Sequence, residues 1–172
     1  VAVIGDMDSI SEDAQASIPA DRLHAIAEQD STDFDKCLRS IAAPLVLGVG
    51  FMGGRMDHAL ATLNVLVRRA GRPVILVGEQ DICFHCPPSL SLSVPVGTRI
   101  SLFPMAEVTA RSRGLRWALD GITFQPWGRS GTSNEAEAPE VRIDVSGRGM
   151  MVIMSPDRLD EVMKALLAER VD

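Results

Sequence analysis

Residues 44–78, "PLVLGVGFMGGRMDHALATLNVLVRRAGRPVILVG", decide how this chain folds. The stretch opens on an apolar run to Phe51, the pattern of a strand covered on both faces in a parallel sheet. Gly53 and Gly54 interrupt it, and from Met56 to Ala70 the residues Ala59, Leu60, Leu63, Leu66 and Val67 recur at helical spacing until Gly71 ends the helix. "PVILVG" then returns to buried strand. Strand, helix, strand is the βαβ unit of an open parallel sheet.

Toward the start, residues 1–4 of "VAVIGDMDSI" read as another short buried strand, and the chain turns extended again around "LHAIAE". Because it opens on Val1 inside an apolar run, a further segment is expected before it. "STDFDKCLRSIA" reads as a helix: Thr32 caps it with Asp35 three residues on, Phe34, Cys37, Leu38 and Ile41 form its apolar face, and Asp33 and Lys36 share the opposite one. Beyond Gln80 the rhythm changes to short alternating segments such as "LSLSVP", "TRISLFPM" and "EVRIDVSG" separated by turn residues, which is a β-sandwich pattern. An amphipathic helix over 156–171 closes the chain, with Leu159, Val162, Met163, Leu166 and Leu167 inward. The expected fold class is α/β plus all-β: an open parallel sheet domain over 1–80, its N-terminal part expected to be missing, then a β-sandwich domain over 81–172.

Composition narrows the chemistry. With 172 residues, 46% of them hydrophobic, the chain can bury a substantial core, and a net charge of −6 offers no basic stripe for a nucleic-acid backbone. No apolar run approaches the roughly 20 residues of a membrane span, so no membrane partner is expected. Three cysteines and no signal-peptide pattern point to a reducing cytosol, hence a cytoplasmic protein. The Cys83–Cys86 "CFHC" lies in strand-like sequence and reads as buried strand cysteines, without a second ligand pair for zinc.

Three clusters carry the polar chemistry. "GDMDS" sets Asp6 and Asp8 just past a strand, and at i and i+2 in extended backbone they point the same way, a concentration of charge that suits a hard cation such as Mg²⁺. "QDSTDFDK" puts Asp30 before a helix, Asp33 in its first turn and Lys36 one turn on, joining acids for a metal to a cation for phosphate. "GGRMDH" supplies glycines for close backbone approach, the fork of Arg55, and Asp57. Taken singly, each also reads as a plain turn or capped helix. All three fall beyond the ends of successive strands, and together they would face one crevice. No GxxxxGK[ST] and no GxGxxG occurs, so any nucleotide phosphates fall to metal, Arg55 and Lys36.

These stretches, followed in order by "GLRWAL" at 114–119 and "GTSNE" at 131–135, resemble the thiamine pyrophosphokinase family at all five of its stations. The resemblance implies a homodimeric enzyme that takes ATP and thiamine as substrates and, with Mg²⁺, makes thiamine diphosphate and AMP. It implies metal ligands Asp6, Asp8, Asp30 and Asp33, catalytic roles for Asp8, Asp33, Asp57 and Arg55, phosphate contacts from Lys36 and Arg55, and a thiamine pocket with Trp117 stacked on the vitamin beside Ser133 and Asn134. An indole face suits a cationic thiazolium and a flat aminopyrimidine. Asp57 is the candidate for orienting or deprotonating the thiamine hydroxyl. Two departures stand out: the family has a further strand and a small-residue loop before GDxDS, and the last helix is longer than the family's usual end. A non-catalytic thiamine-binding protein and a metal-dependent phosphohydrolase are the alternative functions.

Overall fold

Each apolar run becomes a strand in the computed structural model of the chain, which describes residues 2–8 and 10–168. Val1, the expected first strand residue, and Val171, the expected end of the last helix, lie outside the described residues. The chain divides into two compact units, Val1–Ala43 and Pro44–Asp172.

In the first unit, β1 (Val3–Gly5) pairs in parallel with β2 (Leu23–Ala25), Val3 opposite Leu23. Between them runs α1 (Glu12–Ser17), whose cap Ser11 accepts the Ala14 N–H. Then comes α2 (Asp33–Ser40), with the Thr32 hydroxyl accepting the Asp35 N–H at 3.3 Å as the capping pattern predicts. Phe34 and Leu38 are buried and Cys37 and Ile41 half-buried. Lys36 departs from its expected exposed face: it is only 1% exposed. Burying an ammonium is tolerable only where carboxylates meet it, and two do.

The second unit opens with β3 (Val46–Val49), α3 (Met56–Arg68) and β4 (Val74–Val77), and β3 and β4 lie parallel with Leu47 opposite Ile75. The βαβ expectation holds there. The wholly parallel sheet does not, because β4 turns through Gly78–Asp81, where the Gly78 N–H donates to the Asp81 carbonyl at 2.9 Å, into β5 (Ile82–His85), which runs antiparallel to it. One ladder therefore crosses the boundary expected between residues 80 and 81: the free edge of β4 has to pair, and a tight turn brings the nearest partner. Burial differs from expectation too. Leu47 and Val49 are 43% and 73% exposed, and on α3 Leu60 is exposed while Thr62, Val65 and Leu66 are buried.

The strands β6 (Ser89–Ser93), β7 (Arg99–Pro104), β8 (Val108–Arg113), β9 (Thr123–Phe124), β10 (Gly131–Glu135), β11 (Glu140–Ser146) and β12 (Met150–Met154) complete two sheets. One is mixed and six-stranded in the order β10-β7-β12-β5-β4-β3; the other is antiparallel and four-stranded in the order β6-β11-β8-β9. Inward residues of both, among them Phe84, Ile100, Leu102 and Val152 from the first and Leu90, Leu92, Val141 and Ile143 from the second, form one core, sealed by Val162, Ala165 and Leu166 of α4 (Leu159–Ala168). Burying each such side chain contributes about 2 kcal/mol, so this shared apolar layer is what holds the two sheets face to face.

Two glycines flanking the "LRWALD" segment separate backbone freedom from close approach. Gly114 and Gly121 both have left-handed φ, +76° and +74°, but a Cβ on Gly114 would stand 2.2 Å from the Glu140 carbonyl oxygen, whereas nothing lies within 4 Å of one on Gly121. Urea unfolding should show Gly121→Ala destabilised by about 1 kcal/mol and Gly114→Ala by about 3 kcal/mol or more. Equal losses would mean that the strand β11 backbone yields.

Candidate active site

The first polar cluster is organised by a turn that the alternation of strand residues does not foresee. β1 ends at Gly5, and Met7 takes a left-handed φ of 66°, so Asp6 and Asp8 do not project side by side from extended backbone. Asp6 folds back: its Oδ1 accepts the Asp8 N–H at 3.3 Å and its Oδ2 accepts from Lys36 Nζ at 3.2 Å and Gln29 Nε2 at 3.4 Å. Lys36 Nζ also donates to Asp33 Oδ1 at 3.1 Å. Gly5 leaves room for this, since a Cβ there would stand 3.0 Å from the Asp33 carboxyl. Asp8 and Asp30 are exposed.

The electrostatics of this trio follow from its contacts. The Asp8 backbone N–H and the Lys36 ammonium hold the Asp6 carboxyl below its ordinary 3.8. Burial works against the charge of Lys36, but hydrogen bonds to Asp33 and Asp6 outweigh it and raise the ammonium above 10.5. Sequence reading assigned Lys36 to phosphate and passed over Gln29, although both stand in the quoted motif. Among the described residues, no three of Asp, Glu, His and Cys gather closely enough to hold a metal by themselves. What the structure brings together is two carboxylates aimed at one cation.

In the second unit, Gly53 and Gly54 take φ of +90° and +70° beyond β3, and Arg55 occupies the N-cap position of α3 without a side-chain capping bond. Arg55 Nε and Nη2 donate to Asp57 Oδ1 and Oδ2 at 3.1 and 2.6 Å, a fork on the surface with the two side chains 72% and 64% exposed. The hydrogen bond from Arg55 holds the Asp57 carboxyl below 3.8, which makes it a weak base in this state. Beyond the carboxyl ends of β3 and β4 lies a cavity of about 640 Å³, lined by Gly50, Met52, Gly53, Gly54, Gly78 and Asp81 among others, the place where open α/β sheets take ligands.

A second cavity, about 330 Å³, is bounded by Trp117, Leu119, Ile122, Phe124, Ser133 and Asn134 among others. Asn134 is 3% exposed and belongs to the framework: its Oδ1 accepts the Trp117 N–H at 3.2 Å and the Glu135 N–H at 2.9 Å, and its Nδ2 donates to the Trp117 carbonyl at 2.7 Å. It fixes the tryptophan's backbone and has little amide left for a ligand. The β10–β7 register shifts between Gly131 and Asn134, and within that irregularity Ser133 takes a left-handed φ of 59° and donates its N–H to Ser101 Oγ at 2.9 Å, leaving its side chain exposed. Trp117 is 53% exposed; the Arg116 guanidinium lies 4.8 Å from its ring centroid and donates to Glu135 Oε1 at 2.6 Å. Arg116 and Glu135 are not among the expected site residues, although both stand inside the quoted GLRWAL and GTSNE stretches.

Both cysteines of the 83–86 stretch are buried, but only Cys83 lies within β5, where burial pushes its thiol up to about 12; Cys86 follows the strand's end and joins the core. His85 Nε2 accepts the Gly149 N–H at 3.0 Å while its buried Nδ1 finds no partner.

Two family models match the chain, one described as the thiamin pyrophosphokinase catalytic domain over residues 1–76, the other as the thiamin pyrophosphokinase vitamin B1 binding domain over residues 84–148. Thiamine pyrophosphokinase 1 of Oryza sativa subsp. japonica is 30% identical over 158 residues, covering 81% of this chain and 60% of the relative. The chain thus spans about 60% of the length of that curated relative. The crystal structure of thiamine pyrophosphokinase from Bacillus subtilis superposes with a TM-score of 0.70 at 23% identity, covering 88% of this chain and 76% of that one. Thiamin pyrophosphokinase from Geobacillus thermodenitrificans gives 0.72 at 24%, covering 89% and 76%. At these identities the structural likeness shows the fold.

The Asp6–Lys36–Asp33 contact has a definite pH signature. A carboxyl held below its unfolded value stabilises the fold above that value and stops doing so as pH falls through the folded pKa. The raised ammonium contributes below 10.5 and loses its contribution as pH rises through its folded pKa. In Lys36→Met, NMR titration of the Asp6 carboxyl carbon should show its midpoint moving upward from the wild-type position. An unmoved midpoint would show that Lys36 does not govern this carboxyl.

Proposed function

The chain belongs to the thiamin pyrophosphokinase family, and on that premise we propose that it is a thiamine diphosphokinase, which transfers the diphosphoryl group of ATP to the thiamine hydroxyl and releases AMP. The observation that carries the reading is the Trp117 cavity. Its volume suits a small flat ligand, and the indole beside it is fixed at the backbone by Asn134 and backed by Arg116. An indole so held is a platform for a cationic ring, with Ser133 at its side for polar contact. The exposure of Trp117 and Trp127 supports a pocket completed by a second copy in a homodimer.

At the phosphate end, Asp6 and Asp33 both meet the Lys36 ammonium, at 3.2 and 3.1 Å, and the same two carboxylates are of the kind that hold Mg²⁺ together with substrate phosphates. Asp6 and Asp33, helped by Asp8 and Asp30, would hold it, and when bound it supplies charge neutralisation across the phosphate oxygens. Lys36 and Arg55 take up phosphate charge. Moving the Arg55 fork from Asp57 to phosphate frees that carboxylate and raises its basicity, so Asp57 can accept the hydroxyl proton only after phosphate has engaged Arg55. The functional division falls near residue 80, nucleotide chemistry before it and thiamine binding after. The three cysteines, all among the described residues and none in a disulfide, support a cytoplasmic setting. No helix among the described residues is long and apolar enough to cross a membrane.

Incubation with ATP, Mg²⁺ and thiamine should release AMP in a thiamine-dependent manner; ADP with thiamine monophosphate would refute diphosphoryl transfer. For Trp117→Ala the loss of a stacked cation, about 1.4 kcal/mol, corresponds to a roughly tenfold higher KM for thiamine with the KM for ATP unchanged. An unaltered thiamine KM would remove Trp117 from the pocket.

A further inference from the structure

The outward face of the four-stranded sheet carries a charge arrangement that neither the core nor the proposed reaction uses. On β8, Val108 and Ala110 turn inward, while Arg111 and Arg113 turn outward; on β11, Val141, Ile143 and Val145 turn inward, while Arg142 and Asp144 turn outward. Register sets Arg142 directly opposite Arg113 and Asp144 opposite Arg111. Like charges directly opposed across two strands destabilise the pair, so a sheet that needed only a solvated face gains nothing from this choice.

The neighbouring acids relieve it only in part, because Asp144 is shared between Arg142 and Arg113 and Asp120 is engaged by the backbone. Asp144 accepts from Arg142 Nε at 3.2 and 3.1 Å and from Ser89 Oγ at 2.8 Å, and Asp120 Oδ2 accepts the Ser112 N–H at 3.2 Å. Among the described residues, Arg111 and Arg113 enter no ion pair and no side-chain hydrogen bond. The segment that closes the site is anchored as well: the Leu119 N–H donates to Ser112 Oγ at 3.0 Å, and Asp120 and Gly121 border a cavity of about 720 Å³ that the three arginines share.

We propose that this cavity, walled by Arg111, Arg113 and Arg142, is a second binding site, for the phosphate group of a small anion. Strand geometry places Arg111 and Arg113 about 7 Å apart and Arg142 about 5 Å across from Arg113. Long side chains on that triangle converge on a tetrahedral oxyanion, and planar guanidinium forks match phosphate oxygens two at a time. Asp120 and Asp144 set the limit on what enters: they leave a net surplus of one positive charge, which favours a compact anion over an extended polyanion. The volume beyond the arginines accommodates the remainder of a small phosphate ester. The inference is independent of the thiamine reading, since none of these residues belongs to either of the cavities described above.

Heteronuclear NMR of the arginine Nε–Hε groups in the ¹⁵N-labelled full chain tests it, with resonances assigned through Arg111→Gln and Arg113→Gln, both at exposed positions. Inorganic phosphate should shift the Arg111 and Arg113 signals saturably, beyond the shift from sodium chloride at matched ionic strength, and the double variant should lower the affinity read at Arg142 at least tenfold. AMP serves as the ester arm: tighter saturation than inorganic phosphate identifies an esterified ligand, and equal saturation identifies free phosphate. Shifts that follow ionic strength alone, with chloride as effective as phosphate, overturn the proposal, as does unchanged phosphate affinity at Arg142 in the double variant.

Discussion

A strand in the interior of a sheet has to satisfy backbone amides and carbonyls along both edges, and β4 does so in opposite senses, parallel to β3 on one side and antiparallel to β5 on the other. Parallel pairing needs a long crossover, which α3 provides, whereas antiparallel pairing is reached through the short Gly78–Asp81 turn. Because both connections leave from one strand, the glycine-rich loop after β3 and the turn after β4 border the same cavity. The same strand places Ile75 in the core that joins the two sheets. Losing this pairing would detach the glycine-rich loop from the layer that gives the second unit its rigidity.

Around the Trp117 cavity the governing contact is polar. Asn134 has almost no exposed surface and spends its amide on the backbone of Trp117, so two segments far apart in sequence are tied at one residue. The Leu115–Ala136 bridge and the Arg116 N–H to Glu135 carbonyl bond run alongside it. An aromatic platform left half in solvent loses ordering from packing, and this side-chain clamp replaces it.

Much of the architecture was legible because it follows from period and punctuation. The alternation in β6 and β11, the Thr32 cap and the glycines after β3 each have one local cause, and each appears where the pattern puts it. What was not legible depends on backbone torsion or on partners distant in sequence. The left-handed turn at Met7 breaks the i, i+2 geometry that would have aimed Asp6 and Asp8 together, and nothing in a methionine announces it. Burial of Lys36 required knowing that Asp6, thirty residues earlier, would meet it. Leu47 and Val49 read as doubly covered because an apolar run records hydrophobicity without saying which elements lie against each face. Asn134 was read as a ligand contact, since a short motif shows a polar side chain but not that its hydrogen bonds are spent on the framework.

Among the described residues, Met7 and Ser133 are the non-glycine residues found in the left-handed region, one in the turn after β1 and one in the irregularity of β10. Glycine would adopt either conformation more cheaply, by about 1 kcal/mol. Their presence restricts what substitution can do there: a β-branched side chain would force the loop open, while glycine would relax it and let the neighbouring acid or amide wander. Replacements chosen to harden this fold against heat would be drawn to these two positions, and at both of them thermal robustness would be gained by surrendering the aim of the side chains next door.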